Sequence, residues 1–275
     1  MLGTVARLRR YPVKSMLGEE VAASDVTFSG LAGDRRFAVV STRTGKLASA
    51  KYPRAWRAML TMAATACDGA VRIRLPDGTI TTSADDGVDE VLSEVLGEPV
   101  TLASTPPPGA SLDRAVPEAV LSDGVAAEVP AKVIEVGKAS PEGLFFDYAP
   151  VHLLTTSTLD RVAGLSSGGE AAAERYRPNI IIRTAAAGFA ENDWVGRTVG
   201  VGSDLVLRVI ARTGRCAVPT LAHGDLPRDT EALRVLARHN RIPPMPEADP
   251  EPCAGVYAQV LNPGHVSTSD PVRFC

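Results

Sequence analysis

Short apolar or alternating runs, each cut off by turn residues, recur along the whole chain without settling into a strict strand–helix alternation. Leu2–Leu8 alternates, and Arg35–Thr42, rich in Phe, Val and Ala, ends at the turn Thr44-Gly45. Val151–Leu154 and Ile180-Ile181-Ile182 read as buried strands, and Leu205, Leu207 and Val209 mark another. Strands return at Val256–Leu261 and near Val272. Asp68-Gly69 and Asp77-Gly78 suit hairpin turns, whose central residues take positive φ. Between them Val71, Ile73 and Leu75 alternate with Arg72 and Arg74, giving one dry face and one wet face. Such a pattern predicts an α+β protein built on a β-barrel.

Helices are few. Val88, Val91, Leu92, Val95 and Leu96 repeat at helical spacing, with Ser83 or Asp85 to cap the start and Gly97 to end it. Residues 57–103 therefore read as a small α/β unit. A short helix runs from Thr155–Thr158 through Val162, and Asp229 caps another that carries Leu233, Leu236 and Ala237. Ser104-Thr105-Pro106-Pro107-Pro108-Gly109 cannot continue a ladder or a helix and reads as a linker. No internal repeat is visible.

With 275 residues, 45% of them hydrophobic, the chain can build one large core or two modest ones. The formal charge of −3 argues against a protein that neutralises nucleic-acid backbones. Arg7, Arg9, Arg10 and Lys14 do not alter this, because strand alternation splits them between two faces. Small anions remain possible ligands, needing only a local cationic pocket. Neither a signal peptide nor a membrane span is evident, so the expected compartment is the cytoplasm. Cys67, Cys216, Cys253 and Cys275 are widely spaced with no C-x-x-C pair, against a disulfide scaffold or a structural zinc site.

Cys216 lies in Arg212-Thr213-Gly214-Arg215-Cys216-Ala217-Val218-Pro219-Thr220, after a strand and before a proline turn. Cationic neighbours favour the thiolate form, which ligates soft metals. A lone cysteine is more often a small buried hydrophobe. Cations gather at other strand ends: Lys14 and Ser15 in Tyr11-Pro12-Val13-Lys14-Ser15, Arg35 in Gly33-Asp34-Arg35, and Arg175 and Arg177 before Asn179. Thr155 and Thr156 cluster hydroxyls at a helix start, where free N–H groups favour an anion. Each alone is a weak sign; together they are what a phosphate-bearing cofactor requires.

These segments, with Arg177-Pro178-Asn179, Phe189-Ala190-Glu191-Asn192-Asp193-Trp194, Arg215-Cys216, Gly255-Val256-Tyr257, Asn262-Pro263-Gly264 and Asp270-Pro271-Val272, follow in one order along nearly the full length. In that order they resemble the MOSC proteins that pair an N-terminal β-barrel region with a MOSC domain, among them the amidoxime-reducing components. The resemblance implies a MOSC β-barrel with a small N-terminal α/β subdomain. Residues 1–105 would form the N-terminal region, its strands in 1–50 completing the barrel; 106–125 would link, and 126–275 would be the MOSC domain. It implies a molybdenum cofactor with Cys216 on the metal and Tyr257 beside it. Lys14, Ser15, Arg35 and Arg177 would hold phosphate and pterin. Thr155, Thr156 and Asn179 would hydrogen-bond in the same pocket, and Gly214 and Arg215 would shape the ligand loop. In the mitochondrial relatives a second cysteine shortly precedes the ligand; Arg212-Thr213-Gly214 stands here instead, one residue longer.

Two functions follow from this resemblance. One is an oxidoreductase acting on small N-hydroxylated compounds. Since the chain has no G-x-G-x-x-G motif and no cysteine set for a cluster, its electrons would come from a separate flavin, haem or iron–sulfur reductase. The other is a sulfur-transfer or cofactor-carrier protein working through Cys216. Among other candidates, His223 reads as part of a polar turn, His152 as a core histidine, His239 as a helix-end charge, and His265 as following a turn. Glu191 and Asp193 read as backbone-bonded or solvated rather than as an acid–base pair, and Cys67, Cys253 and Cys275 as structural or merely exposed.

Overall fold

The computed structural model describes residues 1–275. Seven strands close into a barrel. In order around it these are Val151–Thr155, Ile180–Arg183, Gly3–Arg10, Pro271–Phe274, Thr198–Val201, Leu205–Gly214 and Glu251–Asn262, which returns to pair with Val151–Thr155. The first strand of the chain is thus built into a barrel made otherwise from the second half. All neighbours run antiparallel except Val151–Thr155 and Ile180–Arg183. A parallel pair needs a crossover, and the helix Thr156–Leu165 with the turn Ala173–Tyr176 supplies it.

Alternation fills the barrel interior. Val5 and Leu8 meet Ile180, Ile182, Val199, Val201, Leu207, Val209, Val256 and Val272 in a buried cluster that also takes in Val26, Leu31 and Trp194. A second cluster lies over the N-terminal sheets: Val13, Met16, Met59, Met62, Ile73, Leu92 and Val100 pack together. There the helix Val88–Leu96 lies against a three-stranded sheet of Ala63–Cys67, Ala70–Arg74 and Ile80–Thr82. Its last turn ends at Gly97 in the left-handed region, which the glycine permits.

Several local expectations change. The cap of that helix is Gly87; Asp85 instead accepts hydrogen bonds from Thr81 and Thr82, and Ser83 from the Val71 N–H. Asp68 and Gly69 both take positive φ as a hairpin pair, whereas in the second turn only Gly78 does. There Asp77 accepts from Thr79 through its side chain. The stretch 106–125 is not bare linker: it holds the strand Ser111–Ala115 and the helix Pro117–Asp123, the proline standing in the first turn where its missing N–H costs nothing.

The long strands Leu205–Gly214 and Glu251–Asn262 pair with three register shifts, one of them between Arg212 and Gly214. Opposite that shift, between Cys253 and Val256, Gly255 takes φ +78°, as a bulge requires. A Cβ there would stand 2.3 Å from His152 Nε2 and 2.6 Å from the Leu153 carbonyl oxygen. Gly255→Ala is expected to cost roughly 2–4 kcal/mol of stability in urea or thermal unfolding, through strain plus overlap. Gly78→Ala also starts from positive φ but meets nothing within 4 Å, and it should cost only about 1 kcal/mol.

Candidate functional site

Where the barrel meets the N-terminal sheets, a cavity of about 290 Å³ opens. At one end, the chain leaves the first strand through Tyr11 and Val13, and Val13 bridges to Phe37. Lys14 then points inward, donating to the Phe145 carbonyl at 2.9 Å and pairing with Asp147 at 2.5 Å. The Ser15 hydroxyl accepts from the Ala50 N–H and meets Ser49 Oγ at 3.3 Å. Arg35 and Arg177 stack over the one Tyr11 ring, at 4.5 and 4.2 Å from its centroid. Ser15, Arg35 and Arg177 are three of only five non-glycine residues with positive φ in the chain. Backbone held in that region is costly and gathers where a side chain must be aimed.

Buried Asp34 ties this end together. It accepts from the Tyr11 N–H at 2.5 Å, from Arg35 at 2.6 and 2.7 Å, and from Asn179 Nδ2 at 2.9 Å. Asn179 Oδ1 in turn accepts from the His152 N–H. One carboxylate therefore joins a loop of the first half to a strand of the second.

The other end forms where Leu205–Gly214 runs out. The Arg215 N–H donates to the Pro252 carbonyl and its Nη2 to the Tyr176 carbonyl at 2.6 Å. Cys216 is 9% exposed, with Ala50, Leu60, Val218 and Leu221 behind it and the cavity before it. Gly214 also lines the wall. Tyr257, on the neighbouring strand, stacks at 5.6 Å with both His152 and Tyr148. Buried Arg175 faces away from the cavity, donating to the carbonyls of Pro219, Leu221 and Pro227, and so holds the turn after Cys216.

Thus Lys14, Ser15, Arg35, Arg177, Asn179, Gly214, Arg215, Cys216 and Tyr257 share one cavity. Thr155 and Thr156 do not reach it, contrary to expectation. The Thr155 hydroxyl caps the helix at Thr158 and donates to Glu191, and Thr156 Oγ1 accepts from the Thr184 N–H. Glu191 is fully buried and takes bonds from Thr155, Thr158 and the Gly255 N–H, a latch between helix and barrel. Burial pushes its carboxyl up despite those donors. The cavity also recruits Lys51, Arg114, Asp147, His152, Arg212, Thr213 and Glu251, which sequence reasoning did not assign. No short motif surrounds Arg114 or Glu251; the basic and hydroxyl pair Arg212-Thr213 beside Cys216 was the one available signal.

The lining carries seven Lys and Arg against two carboxylates, so its charge favours an anion. Burial pushes Lys14 down to about 8, with Asp147 opposing and Lys51 adding to the shift. Burial and then Arg35 bring Arg177 down to about 10. Asp147 is held well below the usual carboxylate range: burial, which alone raises it, is overridden by Lys14 and Lys51. Burial and Arg215 press His152 to about 3, so its ring is neutral. Four buried polar atoms of the lining, His152 Nε2, Arg212 Nε, Thr213 Oγ1 and Arg215 Nε, have no hydrogen-bond partner. Such atoms are rare in folded proteins, and a polar ligand or water in the cavity can satisfy them. Nowhere do three or more His, Cys, Asp or Glu side chains gather as a metal cage. A metal at Cys216 must therefore bring most of its own ligands.

Two segments of the chain match described domains. Residues 2–99 match the MOSC N-terminal beta barrel domain and residues 141–273 the MOSC domain, and on these two matches the chain belongs to the MOSC family. It is similar to mitochondrial amidoxime-reducing component 1 of Homo sapiens, 26% identical over 98% of this chain and 82% of that protein. Among solved structures it resembles the YUAD protein from Bacillus subtilis, with a TM-score of 0.48, 11% identity, and coverage of 99% of this chain and 94% of that one. It also resembles YiiM from Geobacillus stearothermophilus, with a TM-score of 0.33, 13% identity, and coverage of 46% and 54%. No helix is long and apolar enough to cross a membrane.

Lys14 makes anion binding pH-dependent. Its charge is present below about pH 8 and lost above it, so affinity must fall as pH rises through that value. Titration with sulfate, whose own charge is constant there, is expected to show binding weakened about threefold or more between about pH 7 and about pH 9.5. In Lys14→Arg, which stays charged, the slope should flatten.

Proposed function

We propose that this chain is a molybdenum-cofactor oxidoreductase that reduces small N-hydroxylated compounds, drawing electrons from a separate flavin, haem or iron–sulfur reductase. The observation that carries this reading is one cavity in which a thiol faces strand-end cations from both halves of the chain. The donor set fits the group. A thiolate suits a soft metal that arrives with its own sulfur and oxygen ligands, and the buried, unpartnered Thr213 Oγ1 and Arg215 Nε offer donors beside it. Cys216 would bind the metal, and Lys14, Ser15, Arg35 and Arg177 the phosphate and pterin, with Asn179 holding their frame through Asp34 and His152. Gly214 and Arg215 shape the loop that presents the sulfur.

When bound, the cofactor supplies two-electron chemistry at an oxygen atom. Reduction of an amidoxime to an amidine takes two electrons and two protons, breaks the N–O bond and releases water. The protein's part is to orient the substrate and manage protons. Burial raises the Tyr257 phenol, so its Oη keeps its proton near Cys216 and can offer it to a substrate oxygen. His152 stays neutral and stacks on the Tyr257 ring. Four free cysteines suit the reducing cytoplasm, which we take as the compartment.

The alternative, sulfur transfer or cofactor delivery through Cys216, asks for a sulfur that a partner protein can reach. A thiol backed by Ala50, Leu60, Val218 and Leu221 at the end of a cavity fits a resident ligand better. Protein made in molybdate-supplied cells should retain molybdenum and turn over benzamidoxime with an artificial reductant. Cys216→Ala should lose the metal and at least about a hundredfold in kcat/KM. Retention of both by that variant would refute the reading; cyanide-releasable sulfur without turnover would favour the carrier.

A further inference from the structure

Arg114 is the one cavity cation that comes from residues 100–140, the segment between the two domain matches. It sits on the strand Ser111–Ala115, whose ends are fastened to the N-terminal region by the Leu47 N–H to Ser111 and the Ala115 N–H to Lys51. Strand alternation sends Asp113 outward to Lys46 and Arg114 to the cavity face. There Nη2 donates to Glu251 Oε2 at 2.9 Å. Glu251 itself lies over the Cys216 loop, its Oε2 only 2.5 Å from where a Cβ on Gly214 would stand. Arg114 and Cys216 line the same cavity.

Two features separate Arg114 from the cations of the other end. Lys14 and Arg35, like Arg114, give a donor to a carboxylate, but their side chains are only 5% and 14% exposed, and Arg35 and Arg177 stack on Tyr11. Arg114 is 26% exposed at its side chain and stacks on no ring; as in Arg35 and Arg177, two of its guanidinium nitrogens, here Nε and Nη1, take no hydrogen bond. It is a partly open guanidinium on the wall of the cavity that Cys216 also lines, with donors to spare. Guanidinium forks match carboxylates and oxyanions.

We propose that Arg114 is a substrate-binding residue and that the site takes N-hydroxylated substrates bearing an anionic group, a carboxylate or oxyanion, which the free edge of Arg114 receives. The proposal rests on the oxidoreductase reading above and narrows its substrate class. Its probes are benzamidoxime and 4-carboxybenzamidoxime, which differ only in the anionic group.

Equilibrium titration of molybdenum-loaded protein is expected to give tighter binding of the carboxylate by roughly ten- to hundredfold, the range of a charge-assisted hydrogen bond. In Arg114→Gln the two affinities should converge with the metal retained, and in Arg114→Lys, which keeps the charge, part of the preference should return. Equal affinities in the unaltered protein would overturn the proposal. So would loss of molybdenum from a folded Arg114→Gln, which would assign the residue to the cofactor. Turnover is scored separately. If the loaded protein binds the carboxylate selectively but reduces neither compound, the oxidoreductase reading fails while the anion subsite stands.

Discussion

The buried carboxylate of Asp34 is the interaction on which the site depends. It receives the Tyr11 N–H and the Arg35 guanidinium from the first half and Asn179 from the second. With Asp147, it offsets the repulsion between two guanidinium groups that face the same aromatic ring. A buried charge is tolerated when its partners satisfy it, and removing one partner strands the others. The same carboxylate therefore orders the cation cluster and fastens the N-terminal loops to the barrel.

Closure of the barrel does the rest. Because the strand Gly3–Arg10 is inserted between Ile180–Arg183 and Pro271–Phe274, the residues that follow it emerge beside those that precede Ile180. Lys14 and Arg177 meet for that reason. On the far side, the register shift beside Gly255 and the carbonyl anchors of Arg175 and Arg215 set the turn that presents Cys216. The lining's excess of cations is a standing electrostatic cost in this chain alone, and an anionic ligand removes it.

Much of this was legible in the sequence. Strand periodicity exposed the barrel strands because each has one apolar face, and Gly97 marked the helix end through its left-handed conformation. Lys14, Arg35, Arg177 and Cys216 were visible as charges or a thiol at strand ends. Thr155 and Thr156 misled, because a hydroxyl cluster at a helix start satisfies that helix and a buried glutamate as readily as an anion. His152 was read as a core histidine and is indeed buried; what the chain could not reveal is that its ring also borders the cavity. Arg114 and Glu251 lie 137 positions apart, and only the fold brings them together. Linear spacing carries no trace of such a pair.

We infer that the Cys216 sulfur is the protein's bond to a metal whose remaining ligands come with an anionic cofactor. X-ray absorption at the molybdenum edge tests it most directly, on protein from molybdate-supplied cells and on Cys216→Ser loaded with cofactor in vitro. The variant should lose one sulfur neighbour from the metal while its other ligands persist. Indistinguishable spectra from the two proteins would contradict it.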